Sequence, residues 1–148
     1  MKVSVQREDF DLNKEINLLR NDKAVGAVAS FIGQVREVAM TLEHYPGMTE
    51  KAIGKIVEEA RGRWNVIDCT VIHRYGELKP TDQIVLVAVA SGHRGDAFAA
   101  CEFIMDYLKT RAPFWKKEHR EGGALWVEAK TTDDAAADRW QDPARKAG

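Results

Sequence analysis

The chain has 148 residues, 45% of them hydrophobic and 30% charged, with 22 lysines and arginines against 23 aspartates and glutamates. That is one ordinary domain with enough apolar material for a core, and its formal charge of −1 excludes the globally basic profile of a dedicated nucleic-acid binder. The longest apolar run, Ile84 to Ala90, falls far short of the ~20 residues that span a bilayer, and Met1 opens no apolar signal-peptide core. The expectation is a cytoplasmic single domain over residues 1–141, with a frayed tail over 142–148, no membrane contact and no nucleic-acid partner.

Taken in order, Val3 to Gln6 reads as a short strand and Leu12 to Asn21 as a short helix capped by Asp11. Ala24 to Ile32, small and β-branched up to Gly33, reads as a strand, and Val38 to Tyr45 as another, stopped by Pro46-Gly47. Thr49 is placed as the cap of a helix whose Ala52, Ile53, Ile56, Val57, Ala60 and Trp64 keep 3.6-residue spacing. Val66 to Tyr75 and Gln83 to Ala90 are expected strands around a Lys79-Pro80-Thr81-Asp82 turn. Ser91-Gly92 leads into a long helix from Arg94 to Arg111, ended by Pro113. Phe114 to His119 and Ala124 to Lys130 read as a hairpin around Glu121-Gly122-Gly123, and a short helix near Asp133 to Trp140 follows. Two main helices among six or seven strands, with hairpins, predict an α+β domain with a mixed, mainly antiparallel sheet.

The sharpest chemical feature is charge segregation. Between Lys109 and Arg120 stand Lys109, Arg111, Lys116, Lys117, Arg120 and His119 against one anion, Glu118. Cations at a helix end also suit its macrodipole, so a solvated helix terminus is the plain alternative. Strand alternation puts Lys116 on the face opposite Trp115 and Lys117, which aims one lysine inward. On the long helix the stripe Ala97, Phe98, Cys101, Ile104, Met105 and Leu108 is expected to be buried, and at about 100° per residue Lys109 flanks it. A lysine at an apolar margin is either a snorkelling stem or a nucleophile or proton carrier.

At the other end of the same helix, Ser91-Gly92-His93-Arg94-Gly95 offers free N–H groups and cations to an anion. Ser91 as a simple cap and His93 as a surface residue are the alternatives. Arg94 and Lys109 are fifteen residues apart, roughly 22 Å along the axis. They are therefore two sites, or are brought together by a homodimer, which is the preferred expectation. His73-Arg74 and His44-Tyr45 are weaker candidates. The spacing of histidines and cysteines gives no metal site, and Cys69 and Cys101 read as small core residues. Glu43, Glu50, Glu58 and Glu59 read as surface charge.

The stretches Thr41 to Met48, Val71 to Leu78, Ser91 to Arg94, Phe103 to Glu118 and Trp126 to Lys130 resemble, in order, the family of molybdopterin synthase catalytic (large) subunits. The resemblance implies an α/β-hammerhead fold and a central homodimer. Each copy would bind a small ubiquitin-like sulfur-carrier subunit, completing a heterotetramer. The carrier's C-terminal Gly-Gly thiocarboxylate would supply sulfur to cyclic pyranopterin monophosphate, building the dithiolene of molybdopterin, with no resident cofactor.

By position the resemblance makes Lys109 the essential lysine, in proton transfer or transient acyl capture, and Lys116 a second functional lysine. It puts Lys117, Glu118, Gln34, Val35, Arg36, His93 and Arg94 at the substrate, Phe31 and Met105 in the pocket wall, and Lys130 across the dimer. One departure stands out: only Glu37 and Val38 separate Arg36 from Ala39, where the family carries a longer loop with Asn and Gly. The alternatives are a non-catalytic docking partner of a ubiquitin-like protein, and a single-strand nucleic-acid binder using Phe114 and Trp115.

Overall fold

The computed structural model describes residues 1–120, 123–127 and 131–141. Strand β1 (Lys2–Gln6) leads to helix α1 (Leu12–Leu19), strands β2 (Ala27–Gln34) and β3 (Met40–His44), and helix α2 (Met48–Arg63). Strands β4 (Asp68–Arg74), β5 (Gly76–Leu78) and β6 (Gln83–Ser91) precede the long helix α3 (Arg94–Arg111). Strands β7 (Phe114–Arg120) and β8 (Gly123–Val127), helix α4 (Thr131–Asp138) and a 3-10 turn over Arg139–Gln141 complete the described chain. The expected α+β class holds, but the strands form two four-stranded sheets in place of one: β1-β4-β6-β2 and β5-β3-β7-β8. Among the described residues only β1 and β4 run parallel, the other pairs being antiparallel.

Strand β6 is the centre of the first sheet, and its unbroken apolar run follows from burial on both faces. Val85, Val87 and Val89 pack with α2 and α3 residues such as Ile53, Ile56, Phe103 and Ile104. Leu86, Ala88 and Ala90 pack with Phe10 and Leu19 on the α1 side. The second sheet has a smaller core of Val35, Met40, Leu42 and Leu78. The helix layer is closed by edge-on aromatics: Trp64 lies 5.3 Å from Phe103 and 5.4 Å from Trp140. Arg139 pairs with Glu102 and Asp106, and the Trp140 indole donates to Asp106, tying the 3-10 turn onto α3.

Several expectations need correction. Phe98 is 65% exposed. The stripe that α3 buries runs instead through Ala100, Phe103 and Tyr107, together with Ala97, Cys101, Ile104, Met105 and Leu108. Three-residue β5 has no readable periodicity, and pairs with β3 from Met40↔Leu78 to Leu42↔Gly76. The tail and Glu121-Gly122 lie outside the described residues, as does the end of the expected last strand from residue 128.

Thr49 does not cap α2. The cap is Gly47, at φ 82°, where a side chain would be strained. Glu50, expected as mere surface charge, accepts the Gly47 N–H at 2.8 Å, satisfying one orphan donor of the helix. Thr49 is fully buried in the first turn. Its hydroxyl accepts from the Tyr45 N–H (3.0 Å) and donates to the Pro113 carbonyl (3.1 Å), tying the start of α2 to the link between α3 and β7. Thr49→Val keeps the shape and strands both partners, so urea unfolding should show a loss of about 2 kcal/mol. Thr49→Ser should stay near wild type.

Candidate active site

Between the first sheet and the last turns of α3 lies a recess of about 370 Å³, within the usual range for small-ligand sites. β2 contributes Phe31, Ile32, Gly33 and Gln34; β6 contributes Ile84 and Val85. Met105, Leu108 and Lys109 come from α3, and His73 from the end of β4. The register between β2 and β6 slips at Gly33/Gln34, a local irregularity that re-aims side chains. Gly33 is required there, because a Cβ would stand 2.9 Å from Val85 Cγ1.

Lys109 is exposed on the rim of this otherwise largely apolar wall. Met105 is nearly buried and Phe31 is 44% exposed, so both stand where a pocket wall was expected. Gln34 lines the same recess from the strand end. Val35 does not face it: the side chain is 1% exposed in the small core. Its N–H donates to Asp82 O and its carbonyl accepts from Thr81 N–H. Arg36 is exposed in a tight turn, where the Val38 N–H reaches Arg36 O at 2.8 Å and Glu37 adopts φ 68°.

On β7, Phe114, Lys116 and Glu118 share one face, and register sets them against His44, Leu42 and Met40 of β3. Lys116 is the inward lysine that alternation predicted: half-buried, with Nζ 3.6 Å from Glu118 Oε1. It is not part of the recess wall, but it lies about 7 Å along the strand from Phe114, whose ring stacks on His73. Lys117 falls on the opposite face with the exposed Trp115. Phe114 and Trp115 thus point to opposite sides and form no common platform for stacked bases.

His93 and Arg94 are exposed at the far end of α3. Ser91 is no cap: it is the buried last residue of β6, its hydroxyl 3.4 Å from Asn65 Oδ1. His93 is the backbone cap of α3. One chain's recess therefore holds Lys109 without His93 or Arg94. Lys130 lies outside the described residues.

His73 is the group that sequence reasoning underweighted. Its Nδ1 is 2.9 Å from the Arg74 carbonyl, so Nδ1 carries the proton and donates. Its ring lies 3.8 Å from Phe114 at 20°. Burial pushes the imidazole down to about 4 from an ordinary 6.5; the Arg74 bond opposes this, and Lys109 and His44 add to it. Strand parity carried the signal, since Cys69, Val71 and His73 share one face of β4 and the first two are buried against the helices. Burial also pushes the Cys69 and Cys101 thiols up to about 12, leaving neither poised as a nucleophile. Among the described residues no three His, Cys, Asp or Glu side chains gather as a metal would require.

The MoaE protein family matches residues 5–111. The chain belongs to the MoaE family. It is 62% identical to the molybdopterin synthase catalytic subunit of Ralstonia nicotianae, over 93% of this chain and 83% of that protein. It is 54% identical to the subunit of that name from Cereibacter sphaeroides, over 95% of this chain and all of that one. A solved MoaE protein from Burkholderia ambifaria superposes with a TM-score of 0.83 at 59% identity, covering 95% of this chain and 98% of its own.

In this MoaE chain the depressed His73 pKa has a stability consequence. Between about 6.5 and about 4 the unfolded chain takes up a proton that the folded chain refuses, so stability is complete above that window and falls as pH drops through it. The loss should approach roughly 3 kcal/mol at the acid end. Urea midpoints measured across this range should fall less steeply in His73→Phe than in wild type.

Proposed function

We propose that this chain is the catalytic subunit of a molybdopterin synthase, a cytoplasmic sulfurtransferase. The observation that carries the reading is Lys109 at the mouth of an apolar recess in a MoaE-family chain. A carrier's C-terminal Gly-Gly thiocarboxylate enters this recess and its sulfur attacks a side-chain carbon of the cyclic pyranopterin monophosphate, forming a C–S bond as a C–O bond of that carbon breaks and the displaced oxygen leaves with a proton. The carrier is left as an acyl group on that sulfur. Water then takes the acyl group, the carrier leaves as a carboxylate, and the sulfur stays on the pterin; a second carrier delivers the second sulfur of the dithiolene.

Lys109 supplies a cationic donor to the acyl oxygen, and either moves the proton or briefly captures the acyl group. Sulfur arrives on the partner, so two inert cysteines are compatible with this chemistry. Lys116 and Glu118 set a charged pair on the inner face of β7, outside the recess wall. His93 and Arg94 serve the phosphate from the second copy of a homodimer, because one α3 holds them roughly 22 Å from its own Lys109. Two copies and two carriers make the heterotetramer.

Reconstitution with thiocarboxylated carrier and cyclic pyranopterin monophosphate is the test. Lys109→Ala should lower dithiolene formation at least about a hundredfold while carrier affinity changes little. Undiminished turnover removes the assignment. Carrier binding with no turnover by the wild-type chain supports the docking-partner reading in its place.

A further inference from the structure

The polar side chains of the recess are Lys109, Gln34 and His73, and His73 is held more firmly than a solvent-facing histidine needs. Three constraints fix its ring. Phe114 lies against its face at 3.8 Å. The Nδ1–H is committed to the Arg74 carbonyl. Arg74 is itself clamped, its guanidinium donating to Arg7 O at 3.0 Å and to Gln83 O at 2.9 Å. With Nδ1 spent on the backbone and one face covered, the acceptor left to the imidazole is the Nε2 lone pair, and His73 is among the residues that line the recess.

The groups facing this ring are Lys109 from α3, His44 from β3 and Phe114 from β7. An imidazole kept uncharged beside a lysine is a poor seat for phosphate or carboxylate; it is an acceptor, suited to an N–H. A glycine tail of the form –NH–CH2–C(=O)S⁻ offers an N–H donor two bonds from its acyl carbon. The recess offers the complement, an acceptor on β4 and a cation on α3.

We propose that His73 Nε2 accepts the hydrogen bond of the last amide N–H in the carrier's tail, turning the thiocarboxylate toward Lys109. The assignment rests on the sulfur-transfer reading. It makes His73 a contact for the tail, distinct from the lysine that handles the acyl group, and gives the cavity a reason to prefer an amide-linked terminus over a bare carboxylate.

The test uses the carrier in its carboxylate form, with and without replacement of its last amide by an ester, which exchanges the N–H for an oxygen. Titration calorimetry on the wild-type chain should show the ester tail binding about tenfold more weakly. On His73→Phe, which keeps a ring against Phe114, the amide tail should weaken by a similar factor and the ester should cost nothing more, the signature of one shared bond. His73→Gln, which returns an acceptor near the Nε2 position, should recover to within about threefold of wild type.

An ester that costs nothing on wild type, or costs the same on wild type and His73→Phe, overturns the proposal. So does a rise in the KM for pyranopterin with unchanged carrier affinity, which assigns Nε2 to the pterin. The amide and ester arms on wild type stand even where a His73 variant unfolds. Absent dithiolene formation by the wild-type pair is a separate result, which defeats the underlying reading and not the contact itself.

Discussion

The length and burial of α3 constrain everything else in this molecule. Eighteen residues from Arg94 to Arg111 form one helix, packed in the main core with the β6 valines and with α2. Cys101 adds a contact to the Val87 carbonyl, and Arg139 and Trp140 hold Asp106 from outside. A helix so fixed cannot bend to bring its ends together. Its final turn delivers Lys109 to the recess while its first residues carry His93 and Arg94 away. Any ligand that needs both must meet two such helices.

The recess lies where β2, β4 and β6 of the first sheet meet the final turns of α3. Pro113 breaks α3 and sends the chain into β7, which pairs with β3 and not with the first sheet. The break is stabilised by Thr49 reaching the Pro113 carbonyl and by Phe114 stacking on His73 across the gap between the sheets. One junction thus sets the direction of β7, the inward face that carries Lys116, and the ring that covers His73. Burial at this spot keeps the imidazole uncharged beside a lysine, so packing and chemistry here are one arrangement.

The sequence told most where punctuation and period agreed. α3 was legible to its last residue because Ser91-Gly92 precedes it and Pro113 follows it, and β6 because an apolar run too short for a membrane must be covered on both faces. Asp11 was legible as a cap, and accepts the Lys14 N–H. Thr49 was misplaced because a threonine before an apolar stripe has the look of a cap; only the tertiary partner at Pro113, 64 residues away, gives it another use. Phe98 was counted into the stripe for being apolar, although it shares the azimuth of Lys109 and lies open. The division into two sheets could not be read, since it turns on which strand β7 chooses. For the site, Lys109, Met105, Phe31 and Gln34 converge as the motifs suggested. His73 needed the added step of following β4 parity, and the burial of Val35 followed from a five-residue link between β2 and β3 too short to swing it outward.

The central claim is that a working site is assembled from both ends of α3, contributed by two copies of the chain. Co-assembly of Lys109→Ala chains with Arg94→Ala chains measures this directly. Each variant alone lacks one half of every site, whereas a mixed pair contains one site with both residues intact. Random pairing should then restore about a quarter of wild-type dithiolene formation, as two-fold symmetry requires. Activity no greater than the sum of the separate variants would contradict the account, and would place the whole reaction within a single chain.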